Sequence, residues 1–133
     1  MSLILVVPAG GALGAVGRYM LITRFGRWLG TDFPAGTIVV NAVGSFLLGV
    51  LIALMAHAWS PPPELRVFLT AGALGALTTF STFAMDVAYL THRRAHLGAV
   101  AYVLASVGLS LGGFFSGLTL ALPLPAVAWW ALP

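Results

Sequence analysis

Four long apolar runs divide the chain, and its charged residues fall almost entirely between them. The first run extends from about Leu3 to Ile22 and is interrupted only by Arg18; the second, Pro34 to Ala56, holds no charge. The third lies between Arg66 and Asp86, and the fourth, Leu97 to Leu122, is again uncharged. Each is long enough to cross a hydrocarbon core of about 30 Å as a helix. None shows the period-two alternation of a barrel strand. The pattern predicts an all-α integral membrane protein with four transmembrane helices. Residues 1–122 form the bundle and 123–133 a short C-terminal tail, in which Trp129 and Trp130 suit the membrane interface. The connections Thr23–Phe33, His57–Glu64 and Thr91–His96 are short, and the middle one carries the Pro61-Pro62-Pro63 stop. No basic segment precedes the first run, which is not the pattern of a cleaved signal peptide.

Composition narrows the picture. Lys and Arg number 6 and Asp and Glu 3 among 133 residues, and 60% of the chain is hydrophobic. Soluble domains carry roughly a quarter charged residues, and a disordered chain lacks such apolar content. The net charge of +3 comes from arginines that flank the apolar runs, so it reads as a topology signal and no nucleic-acid partner is expected. Arg24, Arg27, Arg93 and Arg94 lie in the first and third connections, and the other side, with both termini and the second connection, holds only Arg66, which by the positive-inside rule places both termini outside. The absence of cysteine excludes disulfides and thiolate sites. His92 and His96 stand four apart but have no third ligand, so no metal site is read from them.

The polar residues inside the runs require a reason, because lipid offers them no partner. Thr37, Asn41 and Ser45 recur every fourth residue in the second run, as do Tyr102, Ser106 and Ser110 in the fourth. Each set shares one helix face. An isolated hydroxyl is satisfied by interhelical bonding or by its own preceding turn. Asn41 has two donors and two acceptor sites, too many for that. The third run carries Gly72, Gly75, Thr78, Thr79, Ser81 and Thr82 at mid-membrane. Such residues favour either a kinked helix with back-bonded threonines or a broken one whose freed carbonyls are ready cation ligands. Phe80 and Phe83 share a face there, and ring edges turned toward a path attract an anion. Small residues at four-residue spacing, Ser45 and Gly49, Gly108 and Gly112, Gly113 and Gly117, predict close helix packing. Arg18 and Asp86 sit near run ends, where snorkelling accounts for a charge. No carboxylate lies mid-run and no phosphate loop or catalytic triad is present. The chain looks like a path rather than a reaction site.

Three motifs fall together: Gly11-Ala12-Leu13-Gly14-Ala15-Val16-Gly17-Arg18-Tyr19, Gly36-Thr37-Ile38-Val39-Val40-Asn41-Ala42-Val43-Gly44-Ser45-Phe46, and Gly72 through Thr78-Thr79-Phe80-Ser81-Thr82-Phe83. Their order and spacing closely resemble the Fluc (CrcB) fluoride channels, over essentially the whole chain to about Leu122. The resemblance implies an antiparallel, dual-topology homodimer in the cytoplasmic (inner) membrane, with the third helix broken near its middle and two pores for fluoride. It implies that Asn41, Phe80 and Phe83 face fluoride, that Tyr102, Ser106 and Ser110 form a polar track, and that carbonyls of Gly75 and Thr78 hold a structural Na⁺ on the dimer axis; the Thr82 hydroxyl is read as a further donor that replaces the ion's water. Asp86 stands where the family more often has Glu, and Phe114 ends the track after Ser110. Dual topology sits against the four-to-one arginine bias; the reading follows the resemblance. A small dimeric multidrug or cation exporter would require an embedded carboxylate. A non-transporting assembly subunit would leave Asn41 and Thr78–Phe83 without purpose.

Overall fold

The computed structural model describes residues 3–29 and 33–121. These form helices α1 (Leu3–Leu29), α2 (Ala35–His57), α3 (Pro63–Val67), α4 (Gly75–Leu77), α5 (Phe80–His92) and α6 (His96–Ala121), with no strand among the described residues. A π-helical stretch, Phe68–Leu74, joins α3 to α4 without a gap. Four segments are long and apolar enough to cross a membrane: Leu3–Arg27, Ala35–His57, Pro63–His92 and His96–Ala121. The tail with Trp129 and Trp130 lies outside the described residues.

The boundaries follow local chemistry. Pro63 occupies the first turn of α3, where its missing N–H has no helical partner to lose. α1 runs seven residues beyond the apolar run read from sequence, because Arg24 and Arg27 are good helix formers and Thr23 folds its hydroxyl back to Tyr19 O at 2.7 Å. The first connection is correspondingly shorter than the polar pattern suggested. The turn between α5 and α6 closes through Arg94 at φ 59°, an unusual conformation for a side-chain-bearing residue.

At mid-membrane α4 ends at Leu77, and Thr78 (φ −77°, ψ 156°) and Thr79 (φ −152°, ψ 122°) are extended before α5 begins. The π-helical stretch immediately upstream is a form that occurs mostly as single bulges near functional sites.

Glycines set how the helices pack. α2 lies along α6, and α1 along the π-helical stretch and α4. A Cβ on Gly49 would collide with Phe114 O, and one on Gly117 with Phe46 O. At the other seam a Cβ on Gly14 would collide with Ala73 O. Backbones thus touch directly, which gives dispersion contact where lipid supplies no hydrophobic driving force. Gly108 and Gly112 take no part, since nothing lies within 4 Å of a Cβ at either. Two apolar clusters fill what remains. Ile38, Leu90, Ala99 and Tyr102 pack with Phe83 and Val87 toward the α5–α6 turn, and Ala53 and Leu118 pack with Phe114 at the opposite end. Outward residues such as Ile4, Leu97 and Leu120 are exposed and apolar, as a lipid-facing surface requires.

Gly117→Val should therefore disrupt the α2–α6 seam and lower the thermal midpoint sharply, whereas Gly26→Ala, with nothing within 4 Å, should leave it unchanged or raise it. Thermal unfolding in detergent followed by circular dichroism reads both; equal behaviour of the two variants would show that the seam is not tightly packed.

Candidate functional site

Two extended residues at mid-membrane leave peptide groups that a helix would have satisfied, each costing several kcal/mol in lipid. Asn41 supplies the remedy. Its Oδ1 accepts from Thr79 N at 2.8 Å and its Nδ2 donates to Thr79 O at 3.1 Å, so the side-chain amide acts as a neighbouring strand would. Gly44, one turn along α2, lets the third segment come close: a Cβ there would meet Thr78 Cγ2 at 2.6 Å. In an unbroken helix the Thr79 N–H would bond to Gly75 O; here it is diverted, and that carbonyl receives no bond from it.

Thr79 also starts α5. Its Oγ1 accepts from Thr82 N at 3.2 Å, an N-cap bond, and donates to Thr82 Oγ1 at 3.1 Å. A threonine has one hydroxyl proton, so Ser81 Oγ, 3.1 Å away, is the donor in its contact with Thr79. Thr79 is buried and bonded on both backbone and side chain. It was not singled out in the sequence as a site residue; the signal was the Thr79-x-x-Thr82 spacing of an N-cap.

Beside the break lies a cavity of about 440 Å³. α2 contributes Asn41 and Ser45, α4 Gly75, the extended pair Thr78 and Thr79, α5 Phe80 and Phe83, and α6 Ser106 and Ser110. Most of the residues proposed from sequence are therefore together, with Ser45 added. Ser106 is 3% exposed and its Oγ has no hydrogen-bond partner, an unusual state for a buried hydroxyl. Four others, Thr82, Tyr102, Asp86 and Arg18, lie off the cavity wall. Thr82 is engaged with Thr79. Tyr102 is fully buried, and its hydroxyl donates to Asp86 Oδ2 at 2.7 Å. Arg18 is half-buried on α1.

The aromatic rings form a continuous stack. Phe80 lies 5.3 Å from Phe83, Phe83 is stacked 5.6 Å from Tyr102 at 19°, and Phe33 meets Tyr102 edge-on at 5.8 Å. Phe83 is thus held by the core, while Phe80 is 79% exposed. The Asp86–Tyr102 bond anchors the far end of the stack.

The arrangement has hydroxyl and amide donors on two walls, aromatic rings on a third and no fixed cation among its lining residues. It suits a small, strongly hydrated anion that must exchange water for protein donors and then leave. Replacing Thr79 by Val should remove the cap and cost about 1 kcal/mol of stability, while Thr79→Ser should retain it. Chemical denaturation of the purified protein compares them; a valine variant as stable as wild type would show that the cap is not formed.

A family model described as CrcB-like protein, Camphor Resistance (CrcB), matches residues 5–118. The chain is 56% identical over 120 residues to a Rhodospirillum centenum protein named fluoride-specific ion channel FluC, covering 90% of this chain and 95% of that one. It is 47% identical over 117 residues to the Nitrobacter winogradskyi protein of the same name, covering 88% and 93%. A Rhizobium meliloti protein, again so named, is 46% identical over 124 residues, 90% of this chain and 96% of the relative.

Proposed function

The chain belongs to the CrcB-like family, and from that premise we propose that it is a fluoride-selective passive channel that lets fluoride leave across the cytoplasmic membrane. The observation that carries this reading within the molecule is the buried, unpartnered Ser106 hydroxyl on the wall of a cavity shared with Asn41, Ser110, Phe80 and Phe83. A dehydrated anion in the cavity accepts from the hydroxyls of Ser106 and Ser110. Asn41 keeps one N–H beyond its bonds to Thr79 and offers it to the same ion. The edges of Phe80 and Phe83 add weak positive potential without holding the ion too tightly. Thr82 and Tyr102 act at one remove: Thr82 through the cap that starts α5, and Tyr102 by stacking on Phe83.

The assembly proposed is an antiparallel, dual-topology homodimer with two pores, as the family resemblance implies. The third helix is read as the family's broken helix, with its break at Thr78–Thr79. Gly75 lies exposed on the single subunit and its carbonyl is released by the diverted Thr79 N–H, which fits a partly bare oxygen ligand. With Thr78 it would hold Na⁺ between subunits, where the ion supplies positive charge and a cross-link. Asp86, the acidic side chain on α5, is bonded to Tyr102, so it is a structural acceptor here and not the free carboxylate that a cation exporter requires.

Liposomes loaded with fluoride and chloride test the function. Reconstituted protein should release fluoride and retain chloride, and Asn41→Asp, which puts a negative charge in the anion's path, should slow release by about tenfold or more. Equal release of both anions, or no release, would overturn the reading. Phe80→Ile and Phe83→Ile should both slow release. Only the Phe83 variant should lose stability, by about 1 kcal/mol from its ring stack, because Phe80 is largely exposed. Replacing Na⁺ by a large organic cation should weaken the dimer, and an unchanged dimer would remove Na⁺ from the account.

A further inference from the structure

A second cavity, about 450 Å³, lies along the last turns of α1 and is lined by Tyr19, Met20, Thr23, Arg24 and Arg27. We propose that it binds the headgroup of an anionic phospholipid, with Arg24 and Arg27 on the phosphate and Tyr19 and Met20 against the glycerol and upper acyl chains.

Position is the first argument. α1 is uncharged from Leu3 to Gly17, and its exposed arginines are confined to its final turns. The boundary between hydrocarbon and headgroups therefore falls at this groove. Orientation is the second. The five lining residues share one face, turned roughly a third of a revolution from Gly10, Gly14 and Gly17, which face the third helix. The groove thus looks out of the bundle, and Tyr19 and Met20 are 73% and 63% exposed. Its volume is within the range of small-molecule sites, about 300–1,000 Å³.

Charge is the third. Among the described residues no carboxylate lines the groove. Among the described acids, Asp86 is bonded to Tyr102, and Glu64 stands in the first turn of α3, beyond the second connection. Arg93, by contrast, lies over the Tyr89 ring at 5.4 Å and donates to its hydroxyl at 2.9 Å. Neither Arg24 nor Arg27 makes a hydrogen bond or ion pair with the described residues. Thr23 has given its proton to Tyr19 O, so the side-chain donors the groove offers are the two guanidinium groups and the Tyr19 hydroxyl. Paired guanidinium forks match phosphate oxygens bidentately. A pure topology signal or a complement to the helix dipole would need the charges but no groove, and would not distinguish one headgroup from another.

Native mass spectrometry of the full-length protein in detergent, titrated with phosphatidylglycerol or phosphatidylcholine, tests this. Phosphatidylglycerol should bind about tenfold more tightly. Arg24→Gln with Arg27→Gln should abolish the preference, Arg24→Lys with Arg27→Lys should retain part of it, and Arg66→Gln in α3 should leave it intact. Equal binding of the two lipids, a preference that survives the double glutamine variant, or the same loss in Arg66→Gln would overturn the proposal. Displacement of the lipid by glycerol phosphate at equal concentration would also overturn it, by assigning the groove to a free anion. Both arginines are exposed and outside the packing seams, so gel filtration should show every variant folded.

Discussion

The pair of hydrogen bonds between the Asn41 amide and the Thr79 peptide is the constraint on which the rest of the structure depends. A membrane interior tolerates extended backbone only where protein satisfies it. One side chain with a donor and an acceptor in the plane of an amide does this for a single peptide group. With that group held, α4 can stop at Leu77 and α5 can begin at Phe80 in a new direction, capped by the Thr79 hydroxyl. The direction of α5 in turn places Phe80 and Phe83 on the cavity wall. Removing the amide would leave a donor and an acceptor bare in lipid. Reforming a continuous helix would swing both rings.

Packing makes the clamp possible. The third segment comes close enough to α2 only because Gly44 has no side chain facing Thr78. The α2–α6 seam, closed by Gly49 and Gly117, brings Ser106 and Ser110 to the same cavity as Asn41. Polar groups within the bundle divide into two kinds. Thr78, Thr91 and Thr119 return their protons to their own helices, and Tyr102 gives its proton to Asp86. Ser45, Ser106 and Ser110, on the cavity wall, return theirs to no backbone carbonyl among the described residues, and Ser106 has the Tyr102 hydroxyl as its polar neighbour. Satisfied hydroxyls hold the fold, and the serine hydroxyls that line the cavity are left for an ion.

Much of this was legible in the residues. Run length and the scarcity of charge are direct consequences of bilayer thickness, so the four spans could be read with the second placed almost to the residue. Asn41 was legible because its hydrogen-bonding capacity exceeds what its own helix can satisfy. Less legible was what Asn41 holds. A sequence shows a polar face but not which partner faces it, and the Thr79 peptide carries no side-chain signature of being bonded. Tyr102 shares its helical face with Ser106 and Ser110, yet it is one turn further toward the core and bonds to Asp86, because its long side chain reaches past the cavity into the Ile38 and Leu90 cluster. The end of α1 was misplaced for a different reason: arginine marks the membrane boundary but does not end a helix.

Hydrogen exchange at the Thr79 amide, followed by NMR on the protein and on Asn41→Ala, tests the central interaction most directly. The account predicts a protected Thr79 N–H in the native protein and loss of protection in the variant, while the amides of α2 and α6 remain as they were. Protection of Thr79 that persists without the Asn41 side chain would mean that its N–H bonds to Gly75 O in an uninterrupted helix. That result would contradict the clamp and the cavity built on it.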